Sequence, residues 1–217
     1  RESYVPEYNG SYCRLISATT PKGKEELFIK KDTLYTANQA DFKNIAGSPI
    51  AYWTSSHVFK LFSEDCLKSH IDARNGMSTT DNNRFLRFWP ECSFEKIGFS
   101  SKSAEQAKVS QKKWFPYNKG GEFRRWYGNN SYVVNWFNDG EEMKKCVTEN
   151  YGSYSKELRS EDKYFAEGIS WSALSSGNIS MRYSEPGYIF DSKGSKAFMR
   201  DETNVFLILS YLNSCVA

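Results

Sequence analysis

The stretch KKWFPYNKGGEFRRWYGNNSYVVNWFNDG, Lys112 to Gly140, decides how this chain is read. Its first half, Lys112 to Gly128, interleaves cations with flat rings around the pair Gly120-Gly121. Lys and Arg attract phosphate, rings and guanidinium planes stack on bases or sugars, and a glycine pair lets backbone N–H groups approach an anion. The second half turns to regular structure. Ser131 to Phe137 reads as a strand, and Asp139 with Glu142 three residues on, followed by Met143, Cys146 and Val147, predicts a capped helix. Strand and helix mixed without the regular alternation of a doubly wound sheet point to the α+β class.

Charge is concentrated in the same place. Between Ser100 and Gly128 stand seven cations (Lys102, Lys108, Lys112, Lys113, Lys119, Arg124, Arg125) and two acids (Glu105, Glu122), a local net of +5 in a chain of 217 residues whose formal total is +3. Clustering of this kind marks an anionic partner more strongly than the mildly basic pI near 8.5 does. Aromatic residues make up 16% of the chain, which excludes a disordered segment, and a mean hydropathy of −0.66 implies that part of this ring content serves a surface. The five cysteines, Cys13, Cys66, Cys92, Cys146 and Cys215, are scattered and odd in number, with no CxxC pair, so neither a disulfide framework nor a zinc site is expected and a reducing, cytoplasmic setting fits. The longest apolar run, Val205 to Leu209, is too short to span a bilayer, and no signal peptide is recognisable. The first residue, Arg1, and the apolar stretch running to Ala217 lead us to expect a piece of a longer protein.

Working outward, residues 1–31 read as a hairpin, with alternation around Tyr12 to Ile16, a polar turn at Thr20 to Lys24, and a second strand at Leu27-Phe28-Ile29. Ser48-Pro49 followed by Ile50, Trp53, Val58, Leu61 and Phe62 predicts a helix capped at Ser48 and running to about Cys66. Gly168 to Trp171, Asn178 to Ser184 and Gly187 to Phe190 read as strands, and Asp201 to Ala217 as a helix.

Three segments carry chemistry. In the central one, Lys113, Lys119, Arg124 and Arg125 around Gly120 and Gly121 are expected to face phosphate, supported by Trp114, Tyr117, Trp126 and Tyr127; a solvated loop with its rings in the core is the plainer account. In GMSTTDNNRFLRFW, Gly76 to Trp89, Asn82 and Asn83 suit the two-pronged contact adenine accepts, and Arg84 and Arg87 the one guanine accepts, against a simple turn whose polar side chains bond their own backbone. Ser175, Ser176 and Asn178 form a polar loop with the same two readings. Catalytic and metal constellations are not expected. His57 and His70 lack ligand spacing, Glu161-Asp162-Lys163 has no preceding Pro-Asp, and no GxSxG, P-loop, GxGxxG or Asn-Pro-Pro-Tyr tetrad occurs. Three Asn-x-Ser triplets, at Asn9, Asn129 and Asn178, would matter only in a secreted protein.

Together TANQADFKNIAGSPIAYW (Thr36 to Trp53), GMSTTDNNRFLRFW, the Lys112 to Gly140 stretch, YFAEGISWSALSSGNISMRY (Tyr164 to Tyr183) and GYIFDSKG (Gly187 to Gly194) resemble the region just after the catalytic motifs of a bacterial adenine-specific DNA methyltransferase of the BREX and phage growth limitation type, related to single-chain type II restriction-modification methylases. A looser likeness runs to the recognition domains of type I specificity subunits, through the glycine pair, Trp126-Tyr127-Gly128-Asn129, the strand ending at Trp136 and the closing Tyr211-Leu212-Asn213-Ser214. One departure is Thr80, where the family usually has glycine. The resemblance implies a strand-rich target-recognition domain with a few capped helices over residues 32–200, the last strands of an upstream methyltransferase domain at 1–31, and the start of a connecting helix at 201–217. It implies double-stranded DNA as partner, other defence-system proteins as possible partners, a bacterial cytoplasm, and S-adenosylmethionine with the catalytic tetrad upstream in the parent protein, with no cofactor in this segment. The competing readings are a carbohydrate- or peptide-binding module, which would use the exposed rings and the Asn-x-Ser triplets, and a structural docking domain of a defence complex.

Overall fold

The computed structural model describes residues 5, 7–31, 33–45, 47–62, 64–175 and 177–215. These form an α+β protein with three small sheets, arranged along the chain as two compact units whose boundary, between Leu67 and Lys68, falls at the start of a short helical turn that belongs mainly to the second.

In the first unit β1 (Asn9–Cys13) pairs antiparallel with β2 (Leu34–Asn38), and α1 (Pro21–Lys30) lies between them in sequence. The expected hairpin is corrected here, because Leu27-Phe28-Ile29 belong to α1. Thr20 caps the helix by accepting from the Gly23 N–H, Pro21 presets the first turn, and Lys31 closes it in the left-handed conformation at φ 61°. With both ends fixed, a segment rich in Lys and Glu forms helix and leaves Phe28 and Ile29 exposed. The β1–β2 pairing also crosses residue 31. The next helix, α2 (Ser56–Leu61), is shorter than expected. Ser48 takes φ 47° and cannot serve as an extended N-cap, whereas Ser55, at φ −72° and ψ 154°, does. Phe42, Ala51 and Phe59 are buried together, with Tyr12 stacked on Tyr52 at 4.9 Å beside them.

The second unit begins in a helical turn, α3 (Leu67–His70), followed by β3 (Ile71–Arg74), α4 (Asn82–Phe85), β4 (Leu86–Phe88), α5 (Ala104–Ser110), β5 (Trp114–Asn118), β6 (Tyr132–Asn135), α6 (Phe137–Tyr151), β7 (Gly168–Trp171), β8 (Met181–Ser184), β9 (Ile189–Phe190), β10 (Lys196–Met199) and α7 (Val205–Leu212). One sheet has the order β3-β10-β7-β8, all antiparallel; the other has β4-β6-β5-β9, with β9 parallel to β5. Pro116 is tolerated inside β5 because β9 pairs only with Tyr117 and Asn118. Phe85, Phe115, Tyr117, Val134, Met143, Val147, Phe165, Ile189 and Phe190 fill the main core, each contributing about 1.5–3 kcal/mol if fully buried.

Two features position the site. In α6, Asn138, Asp139 and Gly140 have φ of 48°, 60° and 71°, so regular helix starts at Glu141, and Asp139 pairs with Lys144 at 2.7 Å instead of capping. At the other end of the unit, Asn213 after α7 donates to the Met181 carbonyl and accepts from its N–H, locking the helix to β8.

Candidate nucleic-acid interface

The loop before α4 is shaped by its own side chains. Thr80 sits at φ 57°, the left-handed region that favours glycine. Asp81 then caps α4 by accepting from the Arg84 N–H at 3.0 Å, and the Thr79 hydroxyl donates to Asn82 Oδ1 at 2.6 Å. This leaves the Asn82 amide N–H groups and the whole Asn83 amide facing outward at the first turn. Across from them β5 ends at Asn118 and delivers Lys119. Asn82, Asn83, Arg87, Glu91 and Lys119 line one cleft of about 430 Å³, with Phe88 and Tyr132 in its wall.

A smaller cavity of about 150 Å³ adjoins it through Asn82 and Lys119, and is completed by Ser78, Thr79, Thr80, Asp191, Ser192 and Lys193. Desolvation and the neighbouring Lys193 push the Lys119 ammonium below its usual range, and Asp191 partly offsets this. Asp191 is already engaged, since it accepts from the Tyr117 hydroxyl and from the Lys193 N–H, both at 2.7 Å. Two cations therefore share one committed carboxylate.

The glycine pair has a packing role that its sequence does not reveal. Gly120 stands at φ 82°, and a Cβ there would come within 2.8 Å of the Lys193 carbonyl; one on Gly194 would come within 2.4 Å of the Asn118 carbonyl. Loops 118–121 and 191–194 meet backbone to backbone, and this contact brings Lys193 to Lys119. Beyond the pair, Ser172 donates to the Gly121 carbonyl at 2.8 Å, and Gly121, Phe123, Ser175, Gly177 and Asn178 line a second cleft. Arg182 lies beneath these loops, 1% exposed, donating to Ser172 Oγ, Ser180 Oγ and the Arg124 carbonyl; burial lowers its pKa, and among the described residues no ion pair engages it.

No family model matches the chain. Over 213 residues it is 41% identical to adenine-specific methyltransferase PglX of Lacticaseibacillus casei (strain Zhang), an alignment covering 94% of this chain and 18% of that protein. Over 213 residues it is 35% identical to adenine-specific methyltransferase BrxX of Escherichia coli O9:H4 (strain HS), covering 95% of this chain and 16% of that one. The chain is a homologue of a segment of these methyltransferases. It spans about one sixth of their length.

Within this homologue the sequence-predicted residues fall into separate groups. Asn82, Asn83, Arg87 and Lys119 meet in the first cleft, whereas Gly121, Ser175 and Asn178 meet in the second; Ser176 lies outside the described residues. Arg124 packs along Gly128, and the Arg125 guanidinium stands 5.6 Å from the Phe123 ring. Trp126 and Tyr127 are half exposed, with Trp126 bonded through its backbone to Met181 and Tyr183. Among the described residues, no ion pair engages Lys119, Arg124 or Arg125.

Other residues stand elsewhere. Lys113 precedes β5 and, with Glu141, Glu142 and Lys145, lines a third cavity. Trp114 takes Arg87 and Lys113 against its ring, at 5.7 and 5.6 Å. Tyr117 does not stand on the surface. It is fully buried, because β5 turns that side chain inward, and its hydroxyl supports the site from below by donating to Asp191. Arg84 is tied to Glu142 at 2.8 Å and donates to Cys146 Sγ, which removes it from the cleft; Arg87 holds the carbonyls of Asn83 and Leu86 and so shapes the turn. Lys193 and Arg182 were missed. DSKG at Asp191 to Gly194 carries the signal for Lys193, whereas a lone Arg in an apolar strand gives none. Among the described residues, no three His, Cys, Asp or Glu side chains form a group able to hold a metal ion, and no helix is long and apolar enough to cross a membrane.

Proposed function

We propose that this chain holds and reads duplex DNA for an adenine-specific methyltransferase of the BREX and phage growth limitation type, while an upstream catalytic domain methylates an extruded adenine. The observation that carries the reading is the convergence, in one cleft, of amide side chains suited to base edges with Lys119, which Lys193 joins in the adjoining cavity. An adenine must leave the stack to be methylated, so a second body has to grip the helix and offset unstacking of roughly a few kcal/mol. Lysines and backbone N–H groups suit phosphate, and Asn82 and Asn83 suit base edges in a groove.

In this reading residues 1–31 close the catalytic domain, 32–200 hold the DNA and 201–217 lead onward, and the setting is the bacterial cytoplasm alongside other defence proteins. S-adenosylmethionine does not suit the smaller cavity, because its sulfonium is a cation and that cavity of about 150 Å³ already holds two. The cofactor is assigned upstream, and the chain alone transfers no methyl group.

Fluorescence anisotropy with labelled duplex tests this. Binding that weakens steeply between 50 and 200 mM salt, in the manner of several phosphate contacts, is expected. Binding of a sugar or peptide ligand with little salt dependence, through the exposed Trp126 and Tyr127, would replace it.

A further inference from the structure

The wall of the larger cleft has a property beyond gripping a duplex, and the argument rests on the reading just given. The β4–β6 register sets Phe88 opposite Tyr132, with ring centroids 4.7 Å apart and planes at 27°. Lys119 Nζ lies 5.3 Å from the Tyr132 centroid. Phe88 is nonetheless 47% exposed, so its ring is backed by a second ring and a cation while part of it stays open to solvent. Single exposed rings are ordinary, but this one stands inside a concave site among polar groups with hydrogen-bonding capacity to spare. Glu91 accepts the Phe88 N–H through Oε2 at 2.8 Å, which fixes the carboxylate beside the ring, and Oε1 has no partner among the described residues. Asn83 likewise uses only its main-chain carbonyl, held by Arg87.

We propose that this wall is a stacking site for one unpaired nucleobase bearing an exocyclic amino group. The base lies against Phe88, Glu91 accepts from its amino group, and Asn83 meets its edge. Stacking on an aromatic ring accepts any base, whereas a carboxylate selects an amino donor over a keto oxygen, so the pair supplies both grip and preference. At about 430 Å³ the cleft is of the size that takes one small planar ligand. The base could come from a single strand or from one extruded out of a duplex.

The test titrates the chain against DNA carrying one 2-aminopurine, an amino-bearing fluorescent base, in a single strand, in a duplex opposite an abasic site, and in a fully paired duplex. Quenching on binding is expected in the unpaired arms, and which of them responds identifies the source. Phe88→Leu should lower the ratio of unpaired to paired affinity about tenfold. Glu91→Gln, which keeps the shape of the cleft and stands in if Phe88→Leu fails to fold, should abolish the preference for an amino-bearing base over thymine at that position. Salt-dependent duplex binding with no quenching in either unpaired arm, or an unchanged affinity ratio in Phe88→Leu and an unchanged base preference in Glu91→Gln, overturns this proposal and leaves the functional reading standing. Failure of the wild-type chain to bind any DNA overturns both.

Discussion

The two ends of strand β5 carry cations from one run of sequence, yet they face different surroundings. At the far end, Lys119 meets Lys193 across a small polar cavity whose one carboxylate, Asp191, is already hydrogen-bonded to Tyr117 and to the chain. At the near end, Lys112 and Lys113 share a cavity with Lys96, Lys145, Glu95, Glu141 and Glu142, and Glu142 is itself paired with Arg84. Six residues of strand at about 3.3 Å each put the two ends roughly 20 Å apart, more than two Debye lengths of about 8 Å at physiological salt. A sequence count of +5 therefore overstates the field at either end. What distinguishes the ends is the balance of charge, two lysines against one hydrogen-bonded carboxylate at the far end and four lysines against three carboxylates at the near end.

The largest effect is expected where the contrast reaches the interior. Lys196 is fully buried, donates to the Ala166 carbonyl and Ser184 Oγ, and has no ion pair among the described residues; burial pushes its pKa down to about 7, with Glu167 opposing the shift. The folded pKa lies below the unfolded value of about 10.4, so the unfolded chain binds the extra proton. Stability should be fully present above that unfolded value, fall as pH drops towards 7, and level off below it. Lys196→Met should flatten this dependence and raise stability near pH 6 by on the order of a few kcal/mol, as read by denaturant melts from pH 6 to 10. An unchanged slope would show that Lys196 keeps its charge when folded.

Next comes the contrast itself. Lys119→Ala with Lys193→Ala should weaken duplex binding by about tenfold per lysine and lower the salt slope by about two, whereas Lys112→Ala with Lys113→Ala should stay within about twofold. Anisotropy titrations across a salt series decide it, and equal losses at both ends would erase the distinction. A smaller effect is expected at the loop framing the open end. Thr80→Gly should raise stability by about 1 kcal/mol by relieving left-handed strain at a β-branched residue, measured as a thermal shift with DNA affinity retained. Smallest is the paired end. Arg84 holds the Glu142 carboxyl below its usual range, so that contribution is present at neutral pH and is lost as pH falls through the lowered value. Glu142→Gln releases Arg84 and should raise DNA affinity by less than about twofold, the exposed pair being largely solvent-screened. A marked loss of affinity would mean that Glu142 positions the interface.

Particular residues explain what could be read in advance. Gly168 to Trp171 was legible as β7 because apolar residues bounded by glycine leave little choice, and the Met143, Cys146, Val147 spacing marked α6 although its cap did not form at Asp139. Leu27-Phe28-Ile29 misled because three consecutive apolar residues fit either period, and the outcome turned on Thr20 and Pro21. Ser48 and Ser55 are equally good caps as letters, and only the backbone angle chose between them.

The sequence by itself determined the α+β class, the concentration of charge and the amide-rich loop, since these depend on composition and on contacts within a few residues. Only the tertiary structure decided which cations act together. Lys119 and Lys193 are 74 positions apart in sequence and are joined because Gly120 and Gly194 let two backbones touch, and Lys113 and Arg84 are set apart because α6 places Glu142 beside them. Electrostatic partnership falls off with distance in space, and separation along the chain does not fix that distance.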